Sequence, residues 1–216
     1  MSTRKKQPAV KSVTPEEYSK FVAVYERALE HVLTSIGDYK KENEMNGQEV
    51  HLSEPLYRIK TFESIIKKCQ TKTGQASIDI NTIKNNISDI AGIRLIVKYE
   101  DEIFKVADAL NTRLRLNVVT VKDYVNHPKP SGYRSLHLIV QREIYFNGKT
   151  YVVPVEIQIR TTAMDLWAGD EHNLQYKNSN PCPEAEEYFS EIAKLLVDYD
   201  KMKMKLRDFN IKNPPI

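Results

Sequence analysis

Val155-Glu156-Ile157-Gln158-Ile159-Arg160 alternates apolar and polar side chains without a break. A β-strand turns successive side chains to opposite faces. Val155, Ile157 and Ile159 are therefore assigned to a core, while Glu156, Gln158 and Arg160 share the other face. Upstream, Asn147-Gly148 separates two strand-like runs, Ser135–Tyr145 and Thr150–Ile159, and is a strong signal for a two-residue hairpin. The same parity places Tyr133, Ser135 and His137 beside the polar face of the first run. Two more strands are read at Ile90–Val97, apolar and β-branched as a buried strand requires, and at Val118–Tyr124.

Helical spacing accounts for most of the remainder. Thr14-Pro15-Glu16-Glu17 offers an N-cap, a proline at the first helical position and acids in the first turn, so a helix is predicted from there to about Lys41. Further helices are predicted at Leu56–Gln70, Asn81–Asn86, Glu100–Arg113 and Thr161–Asn173, with Trp167 in the core. A long terminal helix is predicted at Pro183–Phe209, after the Pro181-Cys182-Pro183 break. The order predicts an α+β fold: one mixed sheet of about four to five strands, flanked by helices, with long N- and C-terminal helices. Residues 1–13 read as a basic flexible tail, 14–55 as a helical extension, 56–177 as the central domain and 178–216 as a second helical extension. In the terminal helix, Tyr188, Ile192, Leu195, Leu196, Tyr199, Met202 and Leu206 recur at three- and four-residue steps. Packing on the sheet is the expectation for that stripe, and a subunit interface is the alternative.

Bulk properties exclude several classes. The 216 residues are 41% hydrophobic and 28% charged, which suits one soluble core with extensions and not a disordered chain. No apolar run approaches the roughly 20 residues that span a bilayer. The start lacks the apolar centre of a signal peptide, so a cytoplasmic protein with no membrane association is expected. Two cysteines, Cys69 and Cys182, cannot build a disulfide framework, and no zinc spacing occurs. The net charge of +3 is too small to name a partner, but it is clustered. Arg58 to Lys72 holds five cations against one acid, and residues 113–149 hold seven against two. Two basic clusters in a near-neutral body favour a local phosphate pocket over a broad nucleic-acid face.

Particular residues carry this further. Lys122-Asp123-Tyr124 and Pro128-Lys129-Pro130-Ser131-Gly132-Tyr133-Arg134-Ser135-Leu136-His137 combine cations, flat rings and a turn able to approach a ligand closely. Glu156 beside His137 reads either as an ordinary cross-strand pair or as a reactive carboxylate. Asp89 ends the turn before the Ile90 strand, where it either shapes the turn or holds a cation serving phosphates. Lys60, Ser64 and Lys67 or Lys68 fall on one stripe if the helix begins at Leu56, with Arg58 at its anion-favouring start. Arg94 interrupts an apolar strand and needs an acceptor or a stacking partner.

These segments, in this order, together with Glu171-His172 and Arg58-x-Lys60 followed by Ser64 and Lys68, resemble the synthetase domain of the RelA/SpoT homologues over about residues 56–177. With no hydrolase or regulatory segment in the sequence, the chain looks like a stand-alone small alarmone synthetase. The resemblance implies a nucleotidyltransferase-like fold. It also implies transfer of the β,γ-pyrophosphate of ATP to the ribose 3′-OH of GDP or GTP, with release of AMP. By the same resemblance Glu156 and Asp89 are catalytic and hold Mg²⁺. Arg58, Lys60, Ser64, Lys68 and Arg94 bind ATP, the two arginines sandwiching the adenine. Lys122, Lys129, Ser131, Tyr133, His137 and Gln158 bind the acceptor, with Tyr133 stacked on the guanine. Many members carry Asn where this chain has Ser131. A homo-oligomer, a tetramer by resemblance, is implied, and single-stranded RNA or tRNA stands as a further partner. The alternatives are a toxic-type relative that pyrophosphorylates tRNA 3′ ends or adenine nucleotides and, ranked last, a non-catalytic nucleotide or RNA sensor.

Overall fold

The structure is a computed structural model that describes residues 12–47, 51–175 and 183–213. The expected basic tail thus lies outside the described residues except for Ser12 and Val13, as do Pro181 and Cys182. Helix α1 (Pro15–Met45) begins at the Thr14 cap and runs past the expected stop at Lys41. The Thr14 hydroxyl accepts the Glu17 N–H at 3.2 Å while the Glu17 carboxylate accepts the Thr14 N–H at 2.8 Å, a closed capping box. Then follow β1 (Leu56–Ile59), α2 (Phe62–Thr73), α3 (Ile80–Asn86), β2 (Ala91–Val97), α4 (Glu100–Thr112), β3 (Asn117–Asp123), β4 (Leu136–Phe146), β5 (Lys149–Thr161), α5 (Thr162–Gln175) and α6 (Pro183–Lys212).

The five strands form one mixed sheet in the order β1-β2-β5-β4-β3. Only the central β2–β5 pair is parallel. The Asn147-Gly148 turn closes the β4–β5 hairpin with both residues at positive φ, 48° and 77°, as the twist of a two-residue hairpin requires. Ile93, Leu95, Val155, Ile157, Ile159, Leu136, Leu138 and Val140 are buried on one face. They form a single apolar cluster with Ala28, Leu29 and Val32 of α1 and Ile103, Val106 and Leu110 of α4. The parity reading of β5 therefore holds, and the polar residues of β2, β4 and β5 share the opposite face. Trp167 is buried, as expected. Cys69 is a packed thiol whose pKa burial raises.

Two expectations are corrected. Leu56–Ile59 is an antiparallel edge strand paired with β2, not the first turn of a helix, and α2 starts only after its N-cap Thr61. This strand is short and almost wholly exposed, so burial imprints no period on it; pairing with β2 makes it a strand. The apolar stripe of α6 does not pack on the sheet. Tyr188, Ile192, Leu195, Tyr199, Met202 and Leu206 are exposed, and of the expected stripe only Leu196 is not, because α6 instead turns the face containing Ala193, Leu196, Val197 and Asp200 toward α5, α4 and the loop before β4.

Candidate active site

Strand register assembles the site. Lys122 lies opposite His137, His137 opposite Gln158, and Gln158 opposite Arg94, so one row of side chains crosses β3, β4, β5 and β2. The next row sets Glu156 beside Gly92 and Gly92 beside Arg58 of β1. With no side chain at Gly92, a Cβ built there would meet nothing within 4 Å, and the space between Arg58 and Glu156 stays open. The resulting cleft is lined by Arg58, Lys60, Asp89, Arg94, Glu156 and Gln158. Residues 58 to 158 of the sequence thus meet in one place.

On one side of the cleft, Asp89 Oδ2 receives Lys68 Nζ at 2.6 Å and Lys60 Nζ at 3.1 Å. Burial alone would raise the Asp89 pKa. The hydrogen bond and charge of Lys68, with the charge of Lys60, outweigh it and hold the carboxyl below its ordinary value. Lys60 reaches this position from the end of β1, where its N–H donates to the Ile90 carbonyl at 2.9 Å. Lys60 precedes the cap of α2, so the expected helical stripe of Lys60, Ser64 and Lys68 is replaced by convergence on Asp89, and Arg58 sits on β1 instead of a helix start. Ser64 is in the first turn of α2, where its N–H donates to Thr61 Oγ1 and its hydroxyl oxygen accepts from the Thr61 hydroxyl, outside the lining of the cleft.

The other side is a buried polar chain. Glu156, 8% exposed, accepts Gln158 Nε2 at 2.7 Å on one oxygen and lies 3.3 Å from His137 Nδ1 on the other. His137 Nε2 is 2.8 Å from the Tyr133 hydroxyl, which accepts Arg160 Nη2 at 2.6 Å. Arg160 and His137 thus meet at the Tyr133 hydroxyl, and His137 links that hydroxyl to Glu156. Burial raises the Tyr133 pKa more than Arg160 lowers it, so the phenol stays protonated. For Glu156, burial again pushes upward. The His137 hydrogen bond and charge, then the Gln158 bond, prevail and hold the carboxyl below its ordinary value, although Asp89 opposes them. That opposition is what a second acid lining the same cleft produces.

The remaining expected residues are placed less tightly. Lys122 is exposed on β3. Lys129 Nζ lies 4.5 Å from the centroid of the Tyr133 ring and 5.0 Å from that of Tyr124, and Tyr133 is only 7% exposed. In this arrangement Lys129 occupies a position a stacked base would take. Ser131 and Gly132 line a separate cavity against α6, away from Glu156. Gly132 has φ +81° and would clash with Ala193 if it carried a Cβ, 2.6 Å away, so only glycine allows the loop this close to α6.

Two residues with site contacts had no assigned role in the sequence. Arg160, 4% exposed, bonds Tyr133, Gln158, Ser135 and Asp165. Asp165 supplies the acceptor that Arg94 demanded, at 3.1 Å. The usable signal was two arginines on one polar face with no acid assigned to them, and an acid at the first turn of the helix that follows.

Among the described residues, no three His, Cys, Asp or Glu side chains converge as a protein-only metal cage. Asp89 and Glu156 nonetheless suit a hard divalent cation, which takes one or two carboxylates and completes its shell with substrate phosphates and water.

Residues 57–181 match the family described as the region found in RelA / SpoT proteins. The chain is 37% identical over 168 residues to the GTP pyrophosphokinase YwaC of Bacillus subtilis (strain 168), covering 78% of this chain and 79% of that one. The chain belongs to the RelA/SpoT family. Among solved structures, this RelA/SpoT chain superposes on a GTP pyrophosphokinase family protein from Streptococcus pneumoniae with a TM-score of 0.80 and 29% identity, over 91% of this chain and 95% of that one. Small alarmone synthetase 1 of Bacillus subtilis, bound to its product pppGpp, gives a TM-score of 0.79 and 28% identity, over 89% and 97%. The α+β fold with its five-stranded mixed sheet is thus that of the small synthetases of the RelA/SpoT family. Among its described residues no helix is long and apolar enough to cross a membrane.

Proposed function

We propose that this chain is a (p)ppGpp synthetase, an ATP:GTP 3′-diphosphotransferase. The 3′-oxygen of GDP or GTP attacks the β-phosphorus of ATP, the Pα–O–Pβ bridge breaks, and AMP leaves with the bridging oxygen. The observation that carries the reading is Glu156: a carboxylate 8% exposed, ionised, and held by two partners in a cleft shared with Asp89, Lys60, Arg58 and Arg94. Such a group accepts the proton of the attacking hydroxyl, and its lowered pKa keeps it in the accepting form at neutral pH. Lys60, Lys68 and Ser64 receive the phosphates of ATP, the two lysines exchanging the Asp89 carboxylate for phosphate oxygens, while Arg58 and Arg94 sandwich the adenine. Asp89 and Glu156 would hold Mg²⁺, which when bound neutralises charge on the transferred group. Gln158 and His137 keep Glu156 oriented, while Lys122, Lys129, Ser131 and Tyr133 receive the acceptor. Lys129 must then move off the Tyr133 ring for a base to stack there.

Incubation with ATP labelled at the γ position, with GDP, GTP, ADP or tRNA supplied separately, tests the reading. Label on GDP or GTP supports it; label only on ADP or tRNA moves the chain to the alternative acceptors, and no transfer at all rejects it. Residues 56–177 are taken as the catalytic unit, and the cytoplasm, where its substrates reside, as its compartment.

A second copy of the chain is the partner we assign to α6. Tyr188, Ile192, Leu195, Tyr199, Met202, Leu206 and Phe209 are exposed at alternating steps of four and three, the seam of a paired helix. An antiparallel pair centred on Tyr199 sets Glu186 in the first turn of one helix opposite Lys212 in the last turn of the other. Sedimentation equilibrium of wild type and Leu195→Glu checks this: the variant is expected as a smaller species, and an unchanged mass rejects the seam.

A further inference from the structure

We infer that Asp165 is a positioning residue that ties the two substrate half-sites together. The inference rests on the pyrophosphokinase reading and extends it to a residue that neither composition nor motif spacing marked. A single atom, Asp165 Oδ1, lies 3.1 Å from Arg94 Nη1 and 3.0 Å from Arg160 Nη1. The two arginines serve opposite sides of the site. Arg94 projects from β2 into the cleft with Arg58 and Asp89. Arg160 is buried and holds both the Tyr133 hydroxyl and the Gln158 side chain, the two groups that flank His137 and Glu156.

The energetic demand is unequal. Arg160 is a buried cation, and Asp165 is the acid with which it forms an ion pair; removing that charge would leave it uncompensated. Arg94 is partly exposed and its Nε has no hydrogen-bond partner, so its plane is fixed through Nη1 alone. One carboxylate oxygen therefore sets the orientation of the guanidinium facing the donor and the position of the guanidinium holding the acceptor-side chain. It sits at the start of α5, directly after β5, so the rigid strand-to-helix junction aims it at both.

Steady-state kinetics on the full chain test this, with ATP and GDP varied in turn. Asp165→Asn is expected to raise KM for both substrates, each by about tenfold, the size of one charge-assisted hydrogen bond. Arg94→Lys is expected to raise KM for ATP alone, and Tyr133→Ala, which removes the ring on which the base stacks, chiefly KM for GDP. Asp165→Glu, which restores the charge, is expected to recover part of both losses. A purely structural role would lower the melting temperature of Asp165→Asn and leave both KM values in place; that result, or a change in only one KM, overturns the inference. If the wild-type chain transfers no pyrophosphate, the functional reading itself fails. Calorimetric titration of wild type and Asp165→Asn with a non-hydrolysable ATP analogue then decides the Arg94 limb: weaker binding in the variant upholds it, and equal binding rejects it.

Discussion

The two sides of the cleft satisfy the same requirement, ionised carboxylates in a partly dry site, by different means. Asp89 is held by two lysines on flexible stems, one of them 47% exposed. Glu156 is held by His137 of the adjacent strand and Gln158 of its own, which are themselves held by Tyr133, Arg160 and Asp165. The first side can exchange its partners, since the lysines that neutralise Asp89 are the cations phosphate oxygens would recruit. The second cannot exchange anything without breaking a chain of bonds, and so it fixes geometry. Mobile charge suits the group that arrives and leaves, whereas a rigid network suits the group that must meet one proton at one place.

The comparison breaks most decisively at Glu156. Glu156→Gln keeps the shape and one of the two accepted hydrogen bonds but cannot take a proton. Transfer is expected to fall by about 10²–10⁴-fold with the melting temperature nearly unchanged. Retained turnover in a coupled AMP-release assay would remove Glu156 from the reaction. The difference in rigidity is read next, by stability. Arg160→Ala strips a buried guanidinium from four partners and is expected to cost about 3–5 kcal/mol in chemical denaturation. Lys68→Ala, at the exchangeable side, is expected to cost less than about 1 kcal/mol. Equal costs would erase the distinction.

The smallest effect lies in the pH dependence. Both carboxylates have pKa values below their ordinary range, so the stability their partners contribute is present above that range and is lost as pH falls through the lowered values. His137 is the leading cause of the lowering at Glu156. His137→Ala removes it, and the acid limb of kcat/KM is expected to move to higher pH. An unmoved limb would detach His137 from the base.

Much of this was legible before any coordinates. The alternation in Val155–Arg160, the Asn147-Gly148 turn and the Thr14 cap each encode local geometry directly, because burial or backbone conformation stamps a period or a residue type on the chain. The motif order brought Asp89 and Glu156 together by resemblance, and the register then supplied the physical reason. What failed was local in appearance and tertiary in cause. Residues 56 to 59 carry no burial pattern, so nothing but pairing with β2 could mark them as strand. Helix α6 has a regular apolar repeat that reads identically whether it faces its own sheet or another molecule.

The amino-acid sequence by itself determined the faces of the sheet, its hairpin and the roster of acids and bases that could do chemistry, because each depends on neighbours a few residues away. Only the tertiary structure decided which cation meets which acid, that Asp165 joins Arg94 to Arg160, and that the α6 stripe is left uncovered. Those contacts close over long stretches of chain, where spacing along the backbone carries no information about distance in space.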